Sequence, residues 1–99
     1  MLHIVNKSPL ERNSLADCLA TATPGSLLLI EDAVYAATRE HASASLIESA
    51  ISNGHKVYAL QPDLEARGMA ERAMEGVSLV DYEGFVDLVA AEPVCHSWL

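Results

Sequence analysis

The residues whose chemistry stands out in this chain are its two cysteines, Cys18 and Cys95. A thiol works as a nucleophile only as the thiolate, so its setting decides what it does. Cys18 follows a strand, a loop and a helix start in quick succession. Leu2, Ile4 and Val5 are strand formers, and Asn6-Lys7-Ser8-Pro9 breaks the run. Asn13 or Ser14 can cap a helix, with Glu11 and Arg12 as candidates for its first turn. Leu15, Cys18, Leu19 and Ala22 then recur on one helical face. In open α/β sheets, ligands gather at the carboxyl ends of the strands, which is where such a turn lies.

Two readings of Cys18 follow. A helix start and the cations Lys7 and Arg12 favour a thiolate. The apolar register favours burial, and a thiol four or five residues inside the helix has largely left the positive end of the dipole. Cys95 lies in the tail and reads as non-catalytic. His3 sits in a strand and reads as structural. Glu31 and Asp32 follow an apolar run and either make a turn or face a site, whereas Asp63, Glu65 and Arg67 read as a solvated helix surface. Trp98 reads as a packing or interface anchor.

No GxGxxG, Walker A, HExxH, GxSxG or EF-hand pattern is present. No CxxC or HxxxH offers zinc-ligand spacing, and cysteines at 18 and 95 do not make a disulfide framework. Reduced thiols are expected, with no cofactor and no metal.

The elements that must position these groups alternate. Ser26 to Ile30 is an apolar run after Thr23-Pro24-Gly25 and reads as a strand covered on both faces. Asp32 is a plausible cap for a helix over 33–40. Ser43 or Ser45 starts another helix through Leu46, Ile47, Ala50 and Ile51, stopped by Asn53-Gly54. Lys56 to Leu60 is the third strand. Short helices over 64–67 and 69–75 end at Gly68 and Gly76. Val77 to Val80 is the fourth strand. Asp81 caps a last helix weakened by Gly84 and ended by Pro93. The apolar tail 94–99 is expected to pack. Such alternation predicts a parallel sheet with helices on both faces. A strand order of 2-1-3-4 would make it doubly wound, with the switch point beside the first strand.

Ninety-nine residues fit one domain, 1–99. Fourteen acids against six scattered bases give a net charge of −8, which argues against direct nucleic-acid binding. The opening lacks the features of a signal peptide, and no apolar run approaches a membrane span. A cytoplasmic protein without membrane contact is the expectation.

The ordered blocks of the chain resemble the TusB/DsrH family over nearly its full length. They are Leu2-His3-Ile4-Val5-Asn6-Lys7-Ser8-Pro9; Leu27-Leu28-Leu29-Ile30-Glu31-Asp32 with Val34-Tyr35-Ala36-Ala37; Val57-Tyr58-Ala59-Leu60 with Asp63-Leu64-Glu65-Ala66-Arg67-Gly68; Val80 to Val86; and Trp98-Leu99. Ala33 departs from the pattern, since members often have Gly there, which puts the local turn geometry in question. The resemblance implies a three-layer α/β/α DsrE-like fold with a mostly parallel sheet of about four to five strands. It implies a cytoplasmic sulfurtransferase complex, a dimer of heterotrimers with TusC/DsrF-like and TusD/DsrE-like sister subunits. Such complexes pass persulfide sulfur to a TusE/DsrC-type carrier, for 2-thiolation of the tRNA wobble uridine or for dissimilatory sulfur oxidation. The principal sulfur-accepting cysteine belongs to the TusD/DsrE-like subunit. The DsrH branch adds a cysteine in the first helix, and Cys18 takes that position, which leans towards sulfur oxidation.

Thiolate attack on a persulfide resembles thiol–disulfide exchange, so one accessible cysteine suffices. The chain is then either a subunit carrying persulfide on Cys18 or a non-catalytic scaffold of the complex. A third reading is a stand-alone α/β binding domain. Self-association is plausible when partners are absent.

Overall fold

The run Ser26-Leu27-Leu28-Leu29 offers no polar face to water, so it is stable only when covered on both sides. The computed structural model, which describes residues 2–6, 15, 18, 25–39, 44–92 and 95–98, puts it in the middle of the sheet. The strands are β1 (Leu2–Val5), β2 (Ser26–Leu29), β3 (Lys56–Leu60), β4 (Ser78–Val80) and β5 (Cys95–Trp98). They lie in the order β4-β3-β2-β1-β5, and every neighbouring pair is parallel. Leu27, Leu28 and Leu29 are all buried.

This order corrects the 2-1-3-4 arrangement. The tail forms β5 and takes the place beside β1 that the expected order gives to β3. β2 is therefore central, in keeping with its unbroken apolar content. Periodicity predicts packing for a six-residue tail but does not choose strand pairing, because that choice depends on a free slot beside Leu2–Val5 at the other end of the chain.

The helices are α1 (Ala44–Ser52), α2 (Gln61–Ala66) and α3 (Tyr82–Ala91). One sheet face carries Val5, Leu27, Leu29, Val57 and Ala59. These pack in one cluster with Leu15 and Cys18, with Ala33, Val34, Ala36 and Ala37, with Ile47 and Ala50 of α1, and with Leu64 of α2. α3 lies on the other face. Ser26 Oγ donates to Glu92 Oε1 just past its end, at 3.2 Å. The result is the expected three-layer α/β/α arrangement.

Local chemistry explains the boundaries. Asp81 caps α3, its Oδ1 accepting from the Gly84 N–H at 2.8 Å. Gly84 is a poor helix former, yet a Cβ there would stand 3.0 Å from Val80 Cβ. The residue trades helix propensity for a close approach of α3 to β4. α2 begins at Gln61, with Pro62 in its first turn, where a missing N–H costs nothing.

Two helix expectations are corrected. Residues 31–37 form a 3-10 segment rather than an α-helix over 33–40, and Ile30 rather than Asp32 occupies the capping position. Thr38 then makes an antiparallel bridge to Ala73, which also limits the expected 69–75 helix to a 3-10 turn, Ala70–Arg72. Tertiary pairing outcompetes helix propensity in both segments.

Because β2 is covered on both sides, Leu29→Ala leaves a cavity at the centre of the domain. It is expected to cost about 2–5 kcal/mol, read as a lower urea midpoint with an unchanged slope.

Candidate functional site

The carboxyl ends of β2 and β3 lie side by side, and four charged residues meet there, Glu31 and Asp32 from the 3-10 segment and Asp63 and Arg67 from α2 and its C-terminal cap. Glu31 adopts φ +49°, a left-handed conformation that a residue with a Cβ resists. Its N–H donates to Asp63 Oδ2 at 2.6 Å, which helps hold that conformation. Arg67 Nε and Nη2 both donate to Asp32 Oδ1, at 3.0 and 2.8 Å. Arg67 Nη1 donates to the Asp63 carbonyl at 3.0 Å. The Asp63 and Arg67 that read as a solvated surface are thus a clamp between the 3-10 segment and α2.

Every distinctive position of the block Asp63-Leu64-Glu65-Ala66-Arg67-Gly68 apart from Glu65 and Ala66 has a structural task. Leu64 is fully buried, Asp63 and Arg67 form the clamp, and Gly68 takes φ +66° to end α2. The same clamp settles the turn at Ala33. The left-handed residue is Glu31, while Ala33 lies inside the 3-10 segment and is buried, so no glycine is needed there. A cleft of about 310 Å³ opens beyond α2, lined by Glu65, Gly68, Ala70, Glu71 and Arg72. Its mixed charges give no single ligand a clear advantage.

Cys18 is not part of this cluster. It is helical and 1% exposed, packed in the core with Leu15, Val5 and Leu27. Burial pushes its thiol from 9.0 up to about 11. Only roughly one thiol in ten thousand is then ionised at neutral pH. Lys7 and Arg12, the cations considered as thiolate partners, lie outside the described residues, as do Asn13, Ser14, Leu19 and Ala22. Cys95, at the start of the edge strand β5, is exposed. His3 is buried within β1, and its Cα register partner in β5 is His96. Trp98 belongs to β5, opposite Val5 of β1. Among the described residues no group of three or more His, Cys, Asp and Glu side chains is placed to hold a metal ion.

The family model described as "DsrH like protein" matches residues 7–94. The protein TusB of Pectobacterium parmentieri is 35% identical over 99 residues, covering 99% of this chain and all of that protein. The chain belongs to the DsrH/TusB family. TusB of Escherichia coli K12 is 34% identical over 98 residues, covering 99% of this chain and 100% of its own length. Among solved structures, the ychN protein from E. coli superposes with a TM-score of 0.79 at 18% identity, covering 97% of each chain. A protein of unknown function from Methanobacterium thermoautotrophicum gives 0.71 at 16% identity, covering 97% of this chain and 95% of that one. At these identities the structural matches speak for the fold alone, and they agree with the three-layer sheet of this DsrH/TusB chain.

Two consequences are measurable. Asp63→Ala removes the carboxylate that accepts from the Glu31 N–H and stands 4.0 Å from Arg67 Nη1, while the Asp63 carbonyl that Arg67 also reaches stays in place; a loss of about 1–2 kcal/mol is expected, seen as a Tm lower by roughly 5–10 °C. For Cys18, the folded state keeps its proton between pH 9 and 11 while the unfolded state releases it. Its contribution is therefore full below pH 9 and is lost as pH rises through about 11. Urea titrations across pH 8–11 are expected to show an extra loss of about 2–3 kcal/mol in the wild type relative to Cys18→Ala.

Proposed function

We propose that this chain is a subunit of a cytoplasmic sulfur-relay complex, working as one domain over 1–99 alongside TusC/DsrF-like and TusD/DsrE-like sister subunits. Family membership supports the relay assignment. The observation that carries the role within it is the burial of Cys18, whose thiol is held in the protonated form. On this reading the chain shapes and stabilises the complex, and the sulfur-accepting cysteine sits on a sister subunit. The negative charge of −8 suits contact with protein partners and disfavours tRNA as a direct ligand. The relay ends on a TusE/DsrC-type carrier, serving either wobble-uridine 2-thiolation or sulfur oxidation.

The second reading has Cys18 accept sulfur itself. It is favoured by the place of Cys18 after the first strand, where the DsrH branch carries a cysteine. In that step the Cys18 thiolate attacks the outer sulfur of a donor persulfide. A new S–S bond forms on Cys18, the donor's S–S bond breaks, and the donor cysteine leaves as a thiolate with the electron pair. There is no net oxidation, because one persulfide replaces another. This reading requires the first helix to open far enough to expose and ionise a thiol that is now in the core.

Non-denaturing mass spectrometry of the tagged chain, purified from its own cells without reductant, separates the readings. A complex with two partner types in which this chain carries no sulfur adduct is the expected outcome, and Cys18→Ala is expected to assemble with the same stoichiometry. An adduct of one sulfur mapped to Cys18, lost in Cys18→Ser while the complex persists, would establish the second reading instead. A bare monomer would overturn both.

A further inference from the structure

One exposed flank of α3 is apolar. Phe85 and Leu88 are half-buried, but Tyr82, Val86 and Val89 recur at i, i+4 and i+7 and stay 61%, 64% and 37% exposed. These three and Leu79 are the exposed large apolar residues among the described ones, and Leu79 stands on the opposite sheet face, in register with Ala59. A helical stripe of one tyrosine and two valines open to water is the pattern of a docking surface rather than of scattered surface apolar residues.

Charge decides what covers it. Glu83 and Asp87 each follow a stripe residue by one position, so they line one side of the stripe, and both are exposed. No Lys or Arg occurs after Arg72, while Glu75, Asp81, Glu83, Asp87 and Glu92 all do. A second copy docked by two-fold symmetry would bring this acidic border against itself, with no cation on α3 to relieve it. We infer that the Tyr82-Val86-Val89 stripe docks a different protein chain, one presenting an apolar ridge bordered by Lys or Arg. This inference rests on the proposed complex and assigns that partner to one of the two sister subunits.

The test co-expresses the full chain with both sister subunits and measures assembly by non-denaturing mass spectrometry and by titration at 50 and 500 mM salt. Val86→Asp is expected to weaken assembly at least tenfold while circular dichroism and urea unfolding stay unchanged, since Val86 is largely exposed and supports no core contact. The double variant Glu83→Lys, Asp87→Lys keeps the apolar stripe and is expected to weaken assembly severalfold at 50 mM salt and much less at 500 mM. If the wild type assembles and Val86→Asp assembles equally well, the stripe is not the interface and the inference is wrong. If the wild-type chain alone forms a dimer that Val86→Asp breaks, a second copy is the occupant and the inference is also overturned. If the wild type joins neither sister subunit, the proposed function fails first and the inference goes with it.

Discussion

The structure depends on one constraint: a central parallel strand with no polar face has to be covered twice. β2 supplies it, with Leu27, Leu28 and Leu29 all buried. One side is met generously. The helix bearing Leu15 and Cys18, the 3-10 segment, α1 and α2 together bury a continuous cluster. Among the described residues, the other side is met mainly by α3, which has no fully buried residue of its own. A small domain that spends most of its helical surface on one face is left with a thin cover on the other. The exposed stripe of α3 belongs to that thin side. On the proposed reading, the docking stripe and the asymmetry of the layers share one physical origin.

The clamp at the ends of β2 and β3 shows how charged residues serve such a fold. An isolated surface ion pair contributes little. Arg67 does more because it bridges two segments far apart in sequence, Asp32 and Asp63, and because Asp63 also accepts from a strained backbone N–H. Residues of this kind can form a recognisable sequence block through a structural task. That is a caution for Cys18 as well. Its position after the first strand invites a chemical role, whereas its surroundings raise the thiol well above neutrality.

Much of the fold was legible in the sequence, because it is written in local pattern. The four alternating strand and helix pairs, the Asp81 cap and the stops at Gly54 and Gly68 follow from propensity and φ preference. The β-structure of the tail and the strand order were not legible, since both depend on which edge of the sheet lies open once the other strands have paired. The 3-10 form of residues 31–37 was hidden for a similar reason. Its ends are fixed by Asp63, by Arg67 and by a bridge from Thr38 to Ala73.

The sequence by itself determined the family, the α/β class, the acidic surface and the two competing roles of Cys18. It set those roles in competition but could not weigh them, because helical spacing places Cys18 on an apolar face without saying how completely that face is sealed. Tertiary structure decided that, since desolvation is a property of everything packed around an atom and not of its neighbours in the chain. It also decided that Asp32 and Asp63 both meet Arg67. And it left Tyr82, Val86 and Val89 bare, because the sheet beneath α3 has room for only one side of the helix.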